Sequence, residues 1–345
     1  MGMRVLVLAG GRSAEREISL ISAKWVVNEL KQIGHEVIEV HIKENGLWEL
    51  YPSSEVLSVE CKSVPWNLFS AGNQINIDFD LVFPVLHGSY GEDGTVQGFC
   101  ATAGWPCTGV SVMGSAVAME KNTFKKLARD AKIPVVPWVF LDDSSVYSND
   151  LYNECKKLLG FPVFVKPSRL GSSVGVSKAD CIESLKDSIK QASEFDRLIL
   201  IEKAVSNARE IEVSVMGNGS VIKTSLPGEI IAGKEWYDFE AKYHCSESES
   251  VIPAAISESD ISLVRELAEK AFRLIGAKGF ARVDFFLNED GIWLNEINTI
   301  PGFTSISMFP KLWKATGFSS TQLFDFILNE AVTRNNYGLG GKNNV

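Results

Sequence analysis

The sequence has no surplus of positive charge. Its formal net charge at pH 7 is −9, whereas attraction to nucleic acid or to an anionic membrane surface needs a basic field. We therefore expect no nucleic-acid or membrane partner. Any phosphate group that binds must be met by a few individually placed cations.

Cysteine pairs and long apolar runs are also missing. The cysteines form no C-x-x-C pair and no zinc-type spacing with the four histidines, so we predict free thiols in a reducing compartment. No stretch approaches the ~20 apolar residues of a membrane helix, and the first apolar run is too short for a signal peptide. These absences predict a cytoplasmic protein. The six cysteines are Cys61, Cys100, Cys107, Cys155, Cys181 and Cys245.

Two common nucleotide-binding loops are absent as well. There is no G-x-x-x-x-G-K-[ST] segment, and Gly10–Glu17 (GGRSAERE) lacks the G-x-G-x-x-G spacing. Glu15 and Glu17 in the first helical turn would repel a pyrophosphate, although they suit the helix dipole. These carboxylates would equally suit a ligand ammonium, which favours an amino-acid substrate over a nucleotide here.

The sequence does contain the pattern of a protein with two or three α/β domains. Its 345 residues are 45% hydrophobic and 22% charged, enough for well-developed cores. A strand at 4–8, a helix at about 15–33 capped by Ser13, and a strand at 35–42 predict the βαβ start of an open parallel sheet. The predicted apolar stripe of this helix is Ile18, Ile21, Trp25, Val26 and Leu30.

The rest of the chain continues the alternation of strands and helices. A buried strand at 79–86 ends in the glycine-rich segment 87–94, and such exits from parallel strands are where open sheets bind ligands. A helix at 115–132 and a linker at 133–137 follow. The later predicted elements are a helix, a strand at 163–166, a Gly/Ser loop, a helix from about 178, a strand at 198–202, strands at 210–216 and 221–225, a polar loop at 232–250, a helix at 258–275 and a final hairpin.

The hairpin at 282–298 (RVDFFLNEDGIWLNEIN) carries the most specific pattern. Strand side chains alternate between two faces, so residues two apart share a face. The predicted register places Asp284 opposite Glu296. It also places Arg282 opposite Asn298, which gathers two carboxylates, an amide and a guanidinium on one face.

This register assumes a loop at 289–291 in which Gly291 is left-handed. Carboxylate and amide oxygens that leave room for phosphate oxygens are typical of Mg²⁺ sites in phosphoryl transfer. A solvated hairpin face is the alternative, but the abrupt loop at 301–305 (PGFTS) favours the metal site. The opposite face is predicted to be core and comprises Val283, Phe285, Leu287 and Ile297.

Two more segments are candidate parts of a nucleotide site. In 165–178 (VKPSRLGSSVGVSK), Lys166 would meet phosphate oxygens under a Gly/Ser loop; a surface turn is the alternative. The strand at 198–203 (LILIEK) leads into a natural adenine slot, with Glu210 and Glu212 as carboxylates for the amine and the ribose. Exposed acids on strands are common, so that segment alone is weak.

The segment 235–243 (EWYDFEAKY) is polar, aromatic and placed between strands. We interpret it as an active-site lid from which Lys242 and Tyr243 reach inward. A long hairpin connection explains the same residues equally well.

Together, five segments resemble one family. They occur along the chain in the order GGRSAEREISL, HGSYGEDGTVQG, VKPSRLGSSVG, WYDFEAKY and RVDFFLNEDGIWLNEINTIPGFTSIS. In this order they closely resemble the D-alanine–D-alanine ligases of the ATP-grasp superfamily. The resemblance runs from about residue 4 to 333 and implies an ATP-grasp fold of mixed α/β and α+β class. It implies an N-terminal open parallel-sheet domain at 1–114, a central subdomain at 115–205, a C-terminal subdomain at 206–333 and a frayed tail at 334–345.

The resemblance also implies the residues that bind ATP and metal. Two Mg²⁺ ions, for which Mn²⁺ can substitute, are expected between protein oxygens and ATP. The implied contacts are Lys121 and Lys166 with the phosphates, Glu202, Lys203 and Val205 with adenine, Glu210 with the ribose, Lys242 of the lid with the γ-phosphate, and Asp284, Glu296 and Asn298 with the metal ions, Glu296 bridging both.

The implied reaction joins two D-alanines for peptidoglycan precursor synthesis. The first carboxylate takes the γ-phosphoryl group to give an acyl phosphate, which the amine of the second D-alanine then attacks. The implied contacts are Glu15, supported by His87, with the first ammonium, Arg282 and the Gly302 N–H with the oxyanion, Ser307 and the Met308 backbone with the second carboxylate, and Ser172 and Tyr243 with Glu15 in closing the lid. Family members are usually homodimers, so a homodimer is expected.

Other functions remain open at this stage. A D-alanine–D-lactate ligase would use the same chemistry with a hydroxy-acid acceptor, but the lid tyrosine is present here. Another ATP-grasp ligase would not be expected to carry Glu15 and the lid segment. A nicotinamide dehydrogenase would need the missing glycine fingerprint, and a non-catalytic amino-acid-binding module would need no metal ligands.

Overall fold

The computed structural model describes residues 2–70, 76–142, 149–231 and 249–337, with the backbone alone at 149 and 335–337. In these ranges the chain forms three sheets, which we call the first, second and third sheets. The first contains β1 (Arg4–Gly10), β2 (Glu36–Ile42), β3 (Trp48–Leu50), β4 (Glu55–Glu60), β5 (Asn67–Ser70) and β6 (Leu81–Pro84); the second contains β7 (Trp138–Leu141), β8 (Val163–Pro167), β9 (Ser177–Ala179) and β10 (Ile199–Lys203); the third contains β11 (Arg209–Gly217), β12 (Ile222–Thr224), β13 (Gly228–Ile231), β14 (Glu249–Val251), β15 (Gly279–Asn288) and β16 (Gly291–Asn298).

Helices flank these sheets and connect them. In chain order they are α1 (Arg16–Gln32), α2 (Thr95–Ala103), α3 (Val112–Met119), α4 (Lys121–Asp130), α5 (Asn149–Leu158), α6 (Ile182–Ser193), α7 (Glu258–Leu274), α8 (Met308–Ala315) and α9 (Ser320–Tyr337). The helix α9 continues into the predicted tail as far as Tyr337, and residues 338–345 lie outside the described part of the chain.

The first sheet confirms the predicted βαβ start and extends it. Its order is β5-β4-β3-β2-β1-β6, in which β1 pairs in parallel with β2 and β6. The strands β3, β4 and β5 are added in antiparallel fashion. The fold is therefore an open parallel sheet with an unpredicted antiparallel extension.

Two details of the predicted α1 are wrong. Ile21, assigned to the apolar stripe, is 57% exposed, whereas Ser19 and Ser22 are fully buried. The hydroxyl of Ser19 accepts from the Gly10 N–H, so this face of the helix binds the end of β1 rather than apolar core. Ser13 is not the cap itself, because Glu15 holds that position.

The single helix predicted at 115–132 is two helices, α3 and α4. Ser111 caps α3 by accepting from the Gly114 N–H at 3.3 Å. Glu120 is extended and starts α4, where its carboxylate accepts from the N–H groups of Asn122 and Thr123. A glutamate acting as a cap leaves no break in the hydrophobic pattern, so the sequence gives little sign of this boundary.

The second and third sheets are mainly as predicted. The second has the order β7-β10-β8-β9, and the third has β14-β13-β11-β15-β16 with β12 paired to β11. The short strands β7, β9, β13 and β14 were not predicted, and β14 begins inside the segment that was predicted to be a polar loop. The helix expected from about residue 178 begins at Ile182.

The hydrophobic cores join parts of the chain that are distant in sequence. Phe324 and Leu328 of α9 share a core with Val5 of β1. In the same core, Phe303 packs edge-on against Phe83 at 5.8 Å and Phe280 at 5.5 Å. The helices α3 and α4 pack with the third sheet. The first and third sheets therefore share a core, whereas the second sheet packs with α5 and α6 in a core of its own.

The described cysteines and helices can be compared with the sequence-based expectations. Cys61, Cys100, Cys107, Cys155 and Cys181 are free thiols, and Cys245 lies outside the described ranges. Within those ranges, no helix combines the length and the apolar character that crossing a bilayer would require.

Candidate active site

The hairpin of β15 and β16 has the predicted pairing. Asp284 lies opposite Glu296, and Arg282 lies opposite Asn298. The predicted core face is confirmed, because its four side chains, Val283, Phe285, Leu287 and Ile297, are buried. The hairpin therefore presents its polar face to the junction of the three sheets.

The turn of this hairpin differs from the prediction. Gly291 is not a loop residue, since it pairs with Asn288 and leaves a two-residue turn at 289–290. A bulge at Asn295 restores the register, so that Glu296 still has its predicted place.

Arg282 organises the carboxylates around the hairpin. It donates from Nε to Asp284 Oδ1 at 2.7 Å and from Nη2 to Asp284 Oδ2 at 2.6 Å, and Asn298 Nδ2 donates to the same Oδ2 at 2.9 Å. The Nε of Arg282 is also 3.0 Å from Glu212 Oε2 on β11. Glu210, two residues before Glu212, lies on the same face of that strand. Burial alone would lower the pKa of Arg282, but Asp284 and Glu212 raise it well above the usual value.

The predicted metal ligands are Asp284, Glu296 and Asn298. Among the residues that the structure describes, no three His, Cys, Asp or Glu side chains form a preformed metal cluster; the predicted set has two carboxylates and one amide. Its surroundings nonetheless suit a cation. Burial, and then the charge of Glu15, raises the pKa of Glu92 to about 8, with Glu296 contributing. Asp284 and Glu296 are register partners and Asn298 is two residues from Glu296, so the predicted set offers the carboxylate and amide oxygens that suit Mg²⁺.

A buried carboxylate lies between two lysines at the second sheet. Glu202 Oε2 is 2.5 Å from Lys166 Nζ, and Glu202 Oε1 is 2.6 Å from Lys125 Nζ. Burial alone would raise the pKa of Glu202, but the two lysines overcome that effect and lower it to about 2. The predicted adenine contact and the predicted phosphate lysine are thus an ion pair in this structure.

Lys121 connects the Gly/Ser loop to the hairpin. Its Nζ donates to the Leu170 carbonyl at 2.5 Å and is 4.0 Å from Glu296 Oε2. Burial lowers the pKa of Lys121, and the charge of Glu296 acts in the opposite direction. The structure therefore places this predicted phosphate lysine beside a predicted metal ligand.

The predicted adenine segment follows β10. The N–H of Lys203 donates to the Pro137 carbonyl, and the N–H of Ala204 donates to the Pro162 carbonyl, both at 3.0 Å. Backbone recognition at these two positions must therefore use their carbonyl groups. Val205 is half-buried, at the start of the connection to β11.

Glu15 joins the first sheet to the Gly/Ser loop. It is only 7% exposed, and its Oε1 accepts a hydrogen bond from Ser172 Oγ. A Cβ at Gly88 would overlap Glu15 Oε2, and Gly88 also has a left-handed φ of 72°. The glycine-rich segment after β6 is therefore needed to let Glu15 reach the loop.

His87 is buried and held by two partners. Burial lowers its pKa to about 4, so the ring is neutral at pH 7. Its Nδ1 is 3.0 Å from the Ile300 carbonyl, which only accepts, so Nδ1 carries the proton. Its Nε2, 3.0 Å from Ser22 Oγ, then accepts from that hydroxyl. His87 thereby ties α1 to the loop that precedes Gly302.

The loop after β16 presents a helix N-terminus. Ser307 occupies the N-cap position of α8 and Met308 is the first residue of the helix, but the Ser307 Oγ makes no capping bond to the helix and instead accepts from the Thr304 N–H at 2.9 Å. A Cβ at Gly302 would come within 2.8 Å of Ser307 Oγ. The free N–H groups of a helix N-terminus favour a carboxylate ligand, as predicted for Ser307 and Met308.

Comparisons with known proteins agree with this arrangement. Models of the D-ala D-ala ligase N-terminus and C-terminus match residues 4–110 and 127–329. The chain belongs to the D-alanine–D-alanine ligase family. D-alanine–D-alanine ligases of Halothermothrix orenii and Clostridium acetobutylicum are 43% and 39% identical, covering 96% and 97% of this chain and 98% and 100% of the relatives.

Solved structures of the family have the same fold. The D-alanine–D-alanine ligase of Coxiella burnetii matches with a TM-score of 0.85 and 33% identity, over 97% of this chain and 96% of that one. The VanG D-Ala:D-Ser ligase of Enterococcus faecalis matches with a TM-score of 0.85 and 32% identity, over 96% and 100%. These matches confirm the predicted ATP-grasp fold, and this D-alanine–D-alanine ligase family member is an enzyme of the ligase class.

The structure describes most of the predicted site of this ligase, but not all of it. It brings together Glu15 and Ser172, and likewise Arg282, Asp284 and Asn298. Lys242 and Tyr243 of the predicted lid lie outside the described residues.

Sequence reasoning missed two residues that contact the predicted site or its loops. Lys125, which is 2% exposed, pairs with Glu202. Glu92 accepts from the N–H groups of Gly88 and Ile300 and so joins the two loops. The helical spacing of Lys121 and Lys125 was a usable signal for the first, because residues four apart share a helix face.

Proposed function

We propose that this enzyme uses ATP to join two D-alanines, releasing D-alanyl-D-alanine, ADP and phosphate. The observation that carries the proposal is the junction of the sheets. Ser172 of the Gly/Ser loop donates to Glu15, next to the first sheet, and Lys121 links the same loop to the third sheet, because it contacts the Leu170 carbonyl and lies 4.0 Å from Glu296. The names of the curated relatives support D-alanine as substrate.

In the first step, the carboxylate of one D-alanine would attack the γ-phosphorus of ATP. Glu15 would hold its ammonium, with His87 supporting the adjacent loop as a neutral ring. Lys121 and Lys166 would bind the phosphates. Mg²⁺ or Mn²⁺, held by Asp284, Glu296 and Asn298 as a pair of ions, would neutralise phosphate charge. The products of this step are ADP and a D-alanyl phosphate.

In the second step, the amine of another D-alanine would attack the carbonyl carbon of the acyl phosphate. Arg282 and the N–H of Gly302 would stabilise the oxyanion of the tetrahedral intermediate, which then expels phosphate. Ser307 and the N-terminus of α8 would hold the second carboxylate. A site closed by Ser172, Tyr243 and Lys242 would keep water from the acyl phosphate.

The adenine end of ATP would lie against β10. Glu202, Lys203 and Val205 are the proposed adenine contacts, and Glu210 is the proposed ribose contact. We further propose the division at 1–114, 115–205, 206–333 and 334–345, which follows the three sheets along the chain. A cytoplasmic homodimer serving peptidoglycan precursor synthesis completes the proposal, with neither nucleic acid nor membrane as partner.

A coupled ADP-release assay with product mass tests the function. The expected result is ADP release with D-alanine and none with L-alanine, together with the mass of the dipeptide. D-Serine and D-lactate belong in the assay as acceptors, since one structural neighbour is a D-Ala:D-Ser ligase. Release that requires D-lactate, with a depsipeptide product, would overturn the D-alanine acceptor. No ADP release with any of these would overturn the proposal.

A further inference from the structure

The helix α4 directs two lysines toward different parts of the proposed nucleotide site. Lys121 and Lys125 are four residues apart and so lie one above the other on the same helix face. Lys121 contacts the Leu170 carbonyl, on the phosphate side of the site. Lys125 contacts Glu202, on the adenine side.

Lys125 is fixed in a nearly closed environment. It is 2% exposed, its Nζ donates to the Val136 carbonyl at 3.3 Å, and the ring of Trp138 lies 5.6 Å from the same nitrogen. Trp138 is the register partner of Glu202 across β7 and β10. Lys125 is therefore built into the wall behind Glu202, and it has no route to a nucleotide of its own.

Lys166 is in a different situation. Its side chain is 14% exposed, against 3% for Glu202, and it stands at the end of β8 next to the Gly/Ser loop. In the proposed reaction Lys166 binds phosphate oxygens, so it must turn away from Glu202. A carboxylate left buried without a cation would be strongly destabilised.

We infer that Lys125 is a positioning residue: it keeps Glu202 charged and in place when Lys166 leaves it for the phosphates. The inference rests on the proposed function and deepens its nucleotide site. It also concerns adenine specificity, because a carboxylate accepts from the exocyclic amine of adenine but is repelled by the carbonyl oxygen of hypoxanthine.

Binding of MgADP and MgIDP, measured by calorimetry, tests the inference without turnover. Lys125→Met keeps a long unbranched chain and removes the charge. We expect it to weaken ADP binding at least about tenfold and to reduce the preference for ADP over IDP. Lys126→Met, a change in the exposed neighbouring lysine that lies over the Phe140 ring, is the matched control and should bind both nucleotides as the parent does.

The double variant Lys125→Met/Glu202→Gln separates positioning from general damage. If Lys125 acts through Glu202, adding Lys125→Met to Glu202→Gln should change ADP binding by less than about threefold. Equal losses in both backgrounds would overturn the inference. If Lys125→Met alone does not fold, the double variant should fold, because the buried carboxylate is gone and Lys166, whose side chain is 14% exposed, can be solvated. Failure of the double variant to fold would likewise overturn the inference.

The two proposals fail in different ways. A parent protein that binds neither nucleotide would overturn the proposed function together with the inference. A parent that prefers ADP, beside a Lys125→Met variant that keeps both affinity and preference, would overturn the inference alone.

Discussion

Asp284 and Glu296 face each other across the hairpin because a bulge compensates for a shorter turn. Phe285 pairs with Leu294, and the next pair is Asp284 with Glu296, so Asn295 is the extra residue. Without the bulge, a two-residue turn would place Glu296 on the core face of the strand. The bulge thus turns this carboxylate into the site.

Glu296→Gln tests the metal assignment of the hairpin. The amide keeps the size of the side chain and removes the charge that a divalent cation needs. We expect ADP release to fall by more than the roughly 10–100-fold that loss of an outer-shell partner costs, while the melting temperature stays near that of the parent. Glu289→Gln, in the exposed turn of the same hairpin, should leave the rate unchanged. Full activity of Glu296→Gln would contradict the assignment.

Arg282→Met tests the ion pairs that Arg282 makes with Asp284 and Glu212. It leaves Asp284 and Glu212 without their shared cation, and breaking a buried ion pair typically costs about 3–5 kcal/mol. We expect a loss of that order in the free energy of unfolding, measured in urea, as well as loss of turnover.

An exposed ion pair supplies the control for Arg282. Arg273 pairs with Glu269 at 2.8 Å, and both side chains are at least 40% exposed. Arg273→Met should therefore cost no more than about 0.5 kcal/mol. Similar losses of unfolding free energy in Arg282→Met and Arg273→Met would show that Arg282 does not stabilise the fold through its ion pairs with Asp284 and Glu212.

The hairpin shows how much of the site could be predicted. Alternation of polar and apolar residues gave the correct pairs, although the turn was assigned wrongly. The apolar residues Ile292, Leu294 and Ile297 are spaced by two and then by three residues, and this break in the period of two is a signal of the bulge that the predicted register did not use. A strict three-residue loop would have placed Leu294 on the polar face, yet it is fully buried.

The contacts of Lys125 could not be predicted in the same way. Glu202, Lys166 and Lys125 come from β10, β8 and α4, so their meeting depends on tertiary packing rather than on a local pattern. The strands β3 to β5 escaped prediction for a related reason. They are short and only partly buried, which gives a weak alternation.

A double-mutant cycle tests the contact between Ser172 and Glu15. Ser172→Ala and Glu15→Gln should each raise the KM for D-alanine. Their combined effect should be smaller than the sum by about 0.5–3 kcal/mol, because Ser172→Ala removes the hydrogen bond and Glu15→Gln replaces its charged acceptor with a weaker neutral one. Ser193→Ala, whose hydroxyl bonds only locally to the Lys190 carbonyl, should be additive with Glu15→Gln. If the effects of Ser172→Ala and Glu15→Gln on KM were additive, the contact between the Gly/Ser loop and Glu15 would play no part in binding the first D-alanine.

Because His87 is buried as a neutral ring, we expect the free energy of unfolding to fall in mild acid. The folded-state pKa of His87, about 4, lies below the ordinary histidine value of 6.5, so between these values the unfolded chain binds a proton that the folded protein does not. The stability associated with neutral His87 is therefore complete above pH 6.5 and falls as the pH drops toward 4. The parent should lose about 2 kcal/mol more than His87→Gln between pH 7 and pH 5. Urea unfolding at both pH values measures this difference, and NMR titration of the His87 ring measures the pKa that causes it. Equal losses in the two proteins would refute the conclusion that a buried, neutral His87 ring ties α1 to the Ile300 loop.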